Sequence, residues 1–309
     1  MAEVVTPAGP EGFHYPLVEH QEYVYHRFDS LITVHPGGTT QLQTTGRTAW
    51  LGVSVRDTLV ATPAADSLPD SLAVTADAGD STRFSVVGLS YLVEFTLDSV
   101  SQDPRSSLRQ PALDSVRGGA WSMLMTPSGG VGPIAVAWGS SIAESLSGEL
   151  ARLFFPTVPR DGAAPGSRWK DSTQTMIGGL SVAQTEQALT DYSVPDQDLK
   201  TTPGVLRINA SSRIRRWGTG QQGGQDIELE GTGTDSITYY LGPAGSFLGT
   251  VGADSVALTF TIPAVGQSVP VYQVGHYSVR RLGEDIPAVV GDSTPAATTP
   301  PAAREGESP

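Results

Sequence analysis

Apolar side chains in this chain recur at every second position. In LSYLVEFTLDS, Leu89, Tyr91, Val93, Phe95 and Leu97 fall on one side, with Ser90, Glu94, Thr96 and Asp98 opposite. Such alternation suits a half-buried strand, whereas a helix would scatter the same residues around its circumference. Trp121, Met123 and Met125 repeat the pattern, as do Val256, Leu258, Phe260 and Ile262. Further apolar runs lie at 206–214, 227–229, 237–241 and 269–279, and 35 glycines and 23 prolines punctuate the chain. One stretch breaks the rule. Ser141 with Glu144 reads as a capping box, and Ile142, Leu146, Leu150 and Leu153 recur at helical spacing until Pro156. The expected fold class is mainly β: an antiparallel curved sheet, incomplete barrel or sandwich, with one main amphipathic helix.

Residues 1–19 read as an extended N-terminal arm and 20–282 as a β-rich domain, with a subdivision near the polar connector 101–118 left open. Residues 283–309, a Pro/Ala/Thr tail, hold too few large apolar groups to offset the entropy of ordering and are expected to be disordered. Asp-Ser pairs, for example at Asp80, Asp98, Asp235 and Asp254, are expected at turns and strand ends, where both side chains bond nearby backbone. No repeat of 20–50 residues appears, which excludes propellers and solenoids.

The formal net charge of −13 argues against nucleic acid and against an anionic membrane surface, each of which selects an excess of Lys and Arg. With no cysteine, disulfides, thiolate metal sites and cysteine nucleophiles are excluded. No apolar run reaches the roughly 18–20 residues of a spanning helix. The opening MAEVVTPAGPEG lacks the basic and apolar regions of a signal peptide. Taken literally that implies the cytoplasm, although a mature exported chain would look the same.

Gly218 to Gly223, GTGQQG, matches the dinucleotide fingerprint, but the helix that should hold the pyrophosphate is replaced by an alternating, glycine-bearing run, so a hairpin loop is expected. Ser167 and Lys170 make an S-x-x-K pair following Pro165-Gly166; in a strand, positions three apart face opposite sides, which separates them. Pro156 and Pro159 make a P-x-x-P whose expected role is to stop the helix. His14, His20, His26, His35 and His276 show no compact metal-ligand spacing, and no metal or cofactor is expected. Asn209-Ala-Ser211 fits a glycosylation sequon that one chance match explains. Arg213, Arg215 and Arg216, followed by Trp217, form the chain's local cluster of positive charge. Arg213 and Arg215 share a face and are the candidate protein-contact residues, while Arg216 points the other way.

Phe155, Pro156, Pro159, Gly166 and Trp169 together make an aromatic-Pro-x-x-Pro exit from a helix and a Gly-x-x-Trp strand start. This pattern, with the run YYLGPAGSFLGTV…VALTFTIP, resembles uncharacterised exported bacterial β-proteins. More distantly, the order strands, helix, strands resembles the LolA and LppX group of lipoprotein and lipid carriers. That resemblance implies a curved antiparallel sheet plugged on its concave side, and it carries over no catalytic residue. The expectation is a non-catalytic binding or scaffolding protein of the bacterial cell envelope, on the periplasmic side, as an extramembrane accessory subunit with protein partners. The alternative is a periplasmic carrier of a lipid or other apolar ligand. Trp169 is expected to anchor the core beyond the Pro165-Gly166 corner.

Overall fold

The computed structural model describes residues 13–58, 90–107, 118–138, 146, 149–150, 152–177, 182–196 and 204–283. In chain order its strands are β1 (Val18–Val34), β2 (Thr40–Thr58), β3 (Ser90–Gln102), β4 (Ala120–Met125), β5 (Val131–Trp138), β6 (Arg168–Ile177), β7 (Val182–Ser193), β8 (Leu206–Gln222), β9 (Gln225–Leu241), β10 (Phe247–Ile262) and β11 (Gln267–Arg281). They form one sheet of order β5-β4-β3-β2-β1-β11-β10-β9-β8-β7-β6, antiparallel throughout. Apart from β5 and β6, successive strands lie side by side, and β1 takes β11 as its second partner. The first and last strands therefore meet in the middle of the sheet, and the sheet is open, with the successive strands β5 and β6 as its edges. The connector near 101–118 does not divide it, because β3 and β4 pair with each other within this sheet.

Alternation sets the inner face. Leu51, Val53 and Val55 on β2 stand opposite Leu97, Phe95 and Val93 on β3, and Phe95 and Val93 stand opposite Trp121 and Met123 on β4. All are buried. Across the centre, Tyr25 meets Val279, and on β8 and β9 Ile208 meets Tyr239. The result is one large apolar cluster at one end of the inner face. A smaller cluster of Ile227, Leu229, Val256, Leu258 and Val271 lies at the other end. β9 presses closely on β10 between them: a Cβ at Gly231 would lie 2.5 Å from the Ala257 oxygen, and one at Gly233 would collide with Ser255. Glycine is required where two backbones approach this closely.

GTGQQG is a hairpin. β8 ends at Gln222, β9 starts at Gln225, and Gly223 and Gly224 between them have φ of 60° and 79°, the left-handed pair that a two-residue turn demands.

One boundary differs from the sequence reading. The chain joins the fold at Phe13, within the expected arm 1–19, because Phe13 and Tyr15 bury their rings edge-on against each other and Tyr15 against Phe155. Among the described residues no helix of seven or more residues occurs. The helix expected from Ile142 lies largely outside those residues. Leu146, Glu149 and Leu150 are helical, the Leu153 N–H donates to the Leu150 carbonyl at 3.0 Å, and Leu146, Leu150 and Leu153 are fully buried. The tail from residue 284 and the arm before residue 13 also lie outside the described residues.

The connection between the edge strands is consequently a strap on the inner face. Phe154, Phe155 and Val158 continue its buried side. Phe155 has φ of 51°, a left-handed backbone conformation immediately before Pro156. Three tyrosine hydroxyls donate to strap oxygens: Tyr15 to Pro156 O at 2.7 Å, Tyr239 to Arg152 O at 2.8 Å, and Tyr25 to a Glu149 carboxylate oxygen at 2.6 Å. The corner at Gly166 forms, and Trp169 packs on Tyr192 at 5.2 Å while its indole N–H donates to Thr157 O.

Candidate functional site

Charged side chains occupy positions in the same alternating phase as the apolar core. On β1 that phase runs Tyr23, Tyr25, Arg27, Asp29, Leu31, and on β2 Arg47 stands opposite Arg27. The next cross-strand row runs Asp29, Gly275, Asp254, Asp235, Ser212, Thr190 across β1, β11, β10, β9, β8 and β7. Two pleat repeats further, beyond the Ile214–Ala188 pair, Arg216 on β8 opposes Glu186 on β7. The strap contributes Glu149 and Arg152. Together these residues make a charged belt between the two apolar clusters.

Arg27 is its hub. It reaches Asp29 at 2.7 Å, Glu149 at 2.9 Å and Asp254 at 3.0 Å, and its guanidinium lies 5.6 Å from the centre of the Tyr277 ring. Arg47 pairs with the other oxygen of Glu149. Arg152 bridges Glu186 at 2.9 Å, Asp235 at 3.2 Å and Asp254 at 3.3 Å. Arg216 donates to Glu186 at 2.7 Å and to Gln273 at 3.3 Å, and Gln273 in turn donates to Asp29. Gly275 leaves the space these groups fill, since a Cβ there would lie 2.6 Å from Asp29 Oδ1 and 2.7 Å from Arg27 Nη2, and closer still to Asp254.

Burial alone would raise the carboxyl of Asp254, but Arg27, Arg152 and Arg216 overcome that and hold it below its ordinary value. Burial likewise opposes Glu149 and Glu186, and Arg47 with Arg27, and Arg152 with Arg216, bring each below the usual range. A carboxyl depressed in the folded state stabilises the fold above its unfolded pKa and loses that contribution as pH falls. The usual values are 4.5 for Glu and 3.8 for Asp. Urea unfolding should therefore show stability declining steadily as pH drops below about 4. A flat profile from there down would contradict the ionised belt.

Each charged group of the belt is in contact with a counter-charge. Among the described residues no cluster of three or more His, Asp or Glu side chains suits a metal ion. His20 stands 3.9 Å from Glu22 at the surface, His26 lies 3.3 Å from Asp103, and His35 bonds Gln41. Ser167 accepts from the Ala164 N–H, while Lys170 is exposed and paired with Asp191 at 2.7 Å.

Arg213 and Arg215 are exposed on the outer face, and Arg216 is buried on the inner one. Their setting is less positive than the sequence suggests: Arg215 pairs with Glu230 at 3.8 Å and lies 5.5 Å from the Trp217 ring, and Asp191 feels the charge of Arg213. The outer rows extend the patch. One runs Leu42, Ile32, Tyr272, Ala257, Thr232, Arg215, and its neighbour Thr44, Ser30, Val274, Ser255, Thr234, Arg213, Leu189. Leu42, Tyr272, Val274 and Leu189 are exposed in these rows. Glu228, Glu230, Arg213 and Arg215 also face outward and are exposed, unlike the apolar band by which a membrane barrel meets lipid.

The belt is what the sequence reading missed. Asp235 and Asp254, expected at turns or strand ends, lie in mid-strand and are buried. The available signal was phase: each occupies the register of its strand's apolar face.

No protein-family model matches the chain, and no curated protein matches its sequence.

Proposed function

We propose that this chain is a non-catalytic binding or scaffolding protein of the bacterial cell envelope, acting as an extramembrane accessory subunit that recognises protein partners with the outer face of its sheet. The observation that carries this reading is that the inner face is already occupied. The strap's Leu146, Leu150, Leu153 and Phe154 fill its apolar end, and the belt's charged side chains pair with one another across the rest. Exposed side chains are presented outside, where Leu42, Tyr272 and Val274 continue in register into Arg215 and Arg213. A contiguous exposed apolar group flanked by charge suits protein association.

Reversing both arginines, Arg213→Glu with Arg215→Glu, should leave folding intact, since each is exposed. It should weaken capture of the partner from the native envelope by up to about tenfold, more at low salt where screening is least. Unchanged association at low salt would count against the outer-face reading.

A second reading, a periplasmic carrier of a lipid or other apolar ligand, is favoured by one feature: the open antiparallel sheet with a segment seated on one face fits the plugged sheet that the carrier resemblance implies. A lipid co-purifying in native mass spectrometry, together with an inert charge reversal, would put the carrier in place of the scaffold.

A further inference from the structure

The belt does not balance. Among the described residues it holds five carboxyl groups, Asp29, Glu149, Glu186, Asp235 and Asp254, and four guanidiniums, Arg27, Arg47, Arg152 and Arg216. Fully ionised, it would bury one uncompensated negative charge, which a protein interior avoids by moving a proton. The carboxyls are not equally served. Asp254 has Arg27, Arg152 and Arg216 within 3.9 Å; Glu149 has Arg27 and Arg47; Glu186 has Arg152 and Arg216; Asp29 has a two-pronged contact with Arg27. Among the described residues Asp235 has Arg152 as its one ion-pair partner, at 3.2 Å, and Arg152 is shared with two other carboxylates.

We propose that the belt binds one proton, on Asp235, as its fifth cation, and that this proton couples the hold between strap and sheet to pH. The surroundings of Asp235 fit. The Tyr277 hydroxyl on β11 donates to Oδ1, and a phenol oxygen, which both donates and accepts, can keep a weaker hydrogen bond to a neutral carboxyl. Asp254 on β10 and Glu186 on β7 add negative charge, Arg152 on the strap is the facing cation, and Tyr192 and Tyr239 are buried nearby. Burial first, and then Asp254 and Glu186, raise the Asp235 carboxyl above its ordinary 3.8, with Arg152 and Tyr277 offsetting only part. When Asp235 is neutral, Arg152 serves Glu186 and Asp254 alone. Once Asp235 ionises, three carboxylates share it and repel one another.

The sign is opposite to that of the other acids. A folded state that keeps a proton the unfolded chain has lost is destabilised as pH rises. Above about pH 5 the depressed carboxyls are ionised in both states and drop out. From there to the point where Asp235 itself ionises, the unfolding equilibrium constant should grow by up to about tenfold per pH unit, the dependence of one proton.

The test is urea unfolding of the full chain and of Asp235→Asn across this range, with infrared spectra of both in the carboxyl C=O region at neutral pH. All histidines are present in both proteins, so the difference between the profiles reads Asp235. The expected result is a falling wild-type stability, a protonated-carboxyl band at neutral pH, and loss of both in Asp235→Asn. A profile unchanged by the substitution would overturn the proposal. Should the variant not fold, the absence of a protonated-carboxyl band from the wild-type protein at neutral pH would overturn it equally.

Discussion

Arg27→Met should cost about 3–5 kcal/mol of unfolding free energy, the range for removing one partner of a buried ion pair. Met is close in volume to the aliphatic part of Arg, so lost packing explains little of it. The cost arises because Asp29 loses its two-pronged partner, Glu149 loses one of its two close cations and keeps only Arg47, and Asp254 loses the nearest of three. The three carboxylates sit in contact with little water: the Asp254 side chain has no exposure and that of Asp29 only 7%. The measurement is the urea midpoint at constant slope. Arg27→Lys should fall between wild type and Met, since an ammonium keeps the charge but cannot make the fork to Asp29. The double variant Arg27→Met with Asp254→Asn should cost less than the two single changes added, because the second removes a charge the first strands. A loss under about 1 kcal/mol for Arg27→Met would mean that water reaches the belt and screens it.

How much of this was legible in the sequence depends on the range of the contacts. Alternation is local, so β3, β4 and β10 follow from runs such as Tyr91 to Leu97, and the hairpin at Gly223-Gly224 follows from two adjacent glycines. The opposite facing of Arg213 and Arg215 against Arg216 is local too, and it holds. The strap was legible through Leu146, Leu150 and Leu153, whose spacing marks one buried side. The belt was not, because its pairs are remote: Arg27 meets Asp254, and Arg152 meets Glu186. Nothing periodic announces that β1 pairs with β11, and only that pairing brings Asp29 beside Gly275 and Asp254. Asp-Ser reads as a turn because both side chains compete for local backbone bonds. At Asp29, Asp235 and Asp254 guanidiniums and a phenol take those bonds instead, and the strand continues through. Charged residues and glycines in the apolar phase of a strand were the visible trace of this arrangement: Arg27 and Asp29 on β1, Gly231, Gly233 and Asp235 on β9, and Gly275 on β11.

Phe154→Ala should be comparably severe, about 3–5 kcal/mol, for a different physical reason. The ring is 1% exposed and lies 5.2 Å from Tyr23 on β1, 5.2 Å from Phe95 on β3 and 5.1 Å from Phe247 on β10. Those strands belong to both halves of the sheet, so Phe154 joins them through the strap rather than through backbone pairing. The cost of a large-to-small change depends on whether the site can collapse, and here the walls resist: each is a strand fixed on both sides by its neighbours. The vacated space should remain as a cavity, which places the loss at the upper end of the range. Phe154→Leu keeps most of the volume and should cost less than about 1.5 kcal/mol. Because Phe154 lies two residues beyond Arg152, a strap loosened at its ring should also loosen its ionic hold. Phe154→Ala and Arg152→Met should then combine to less than their sum. Strict additivity would show that the apolar and ionic anchors of the strap act separately, each closing its own end of the inner face.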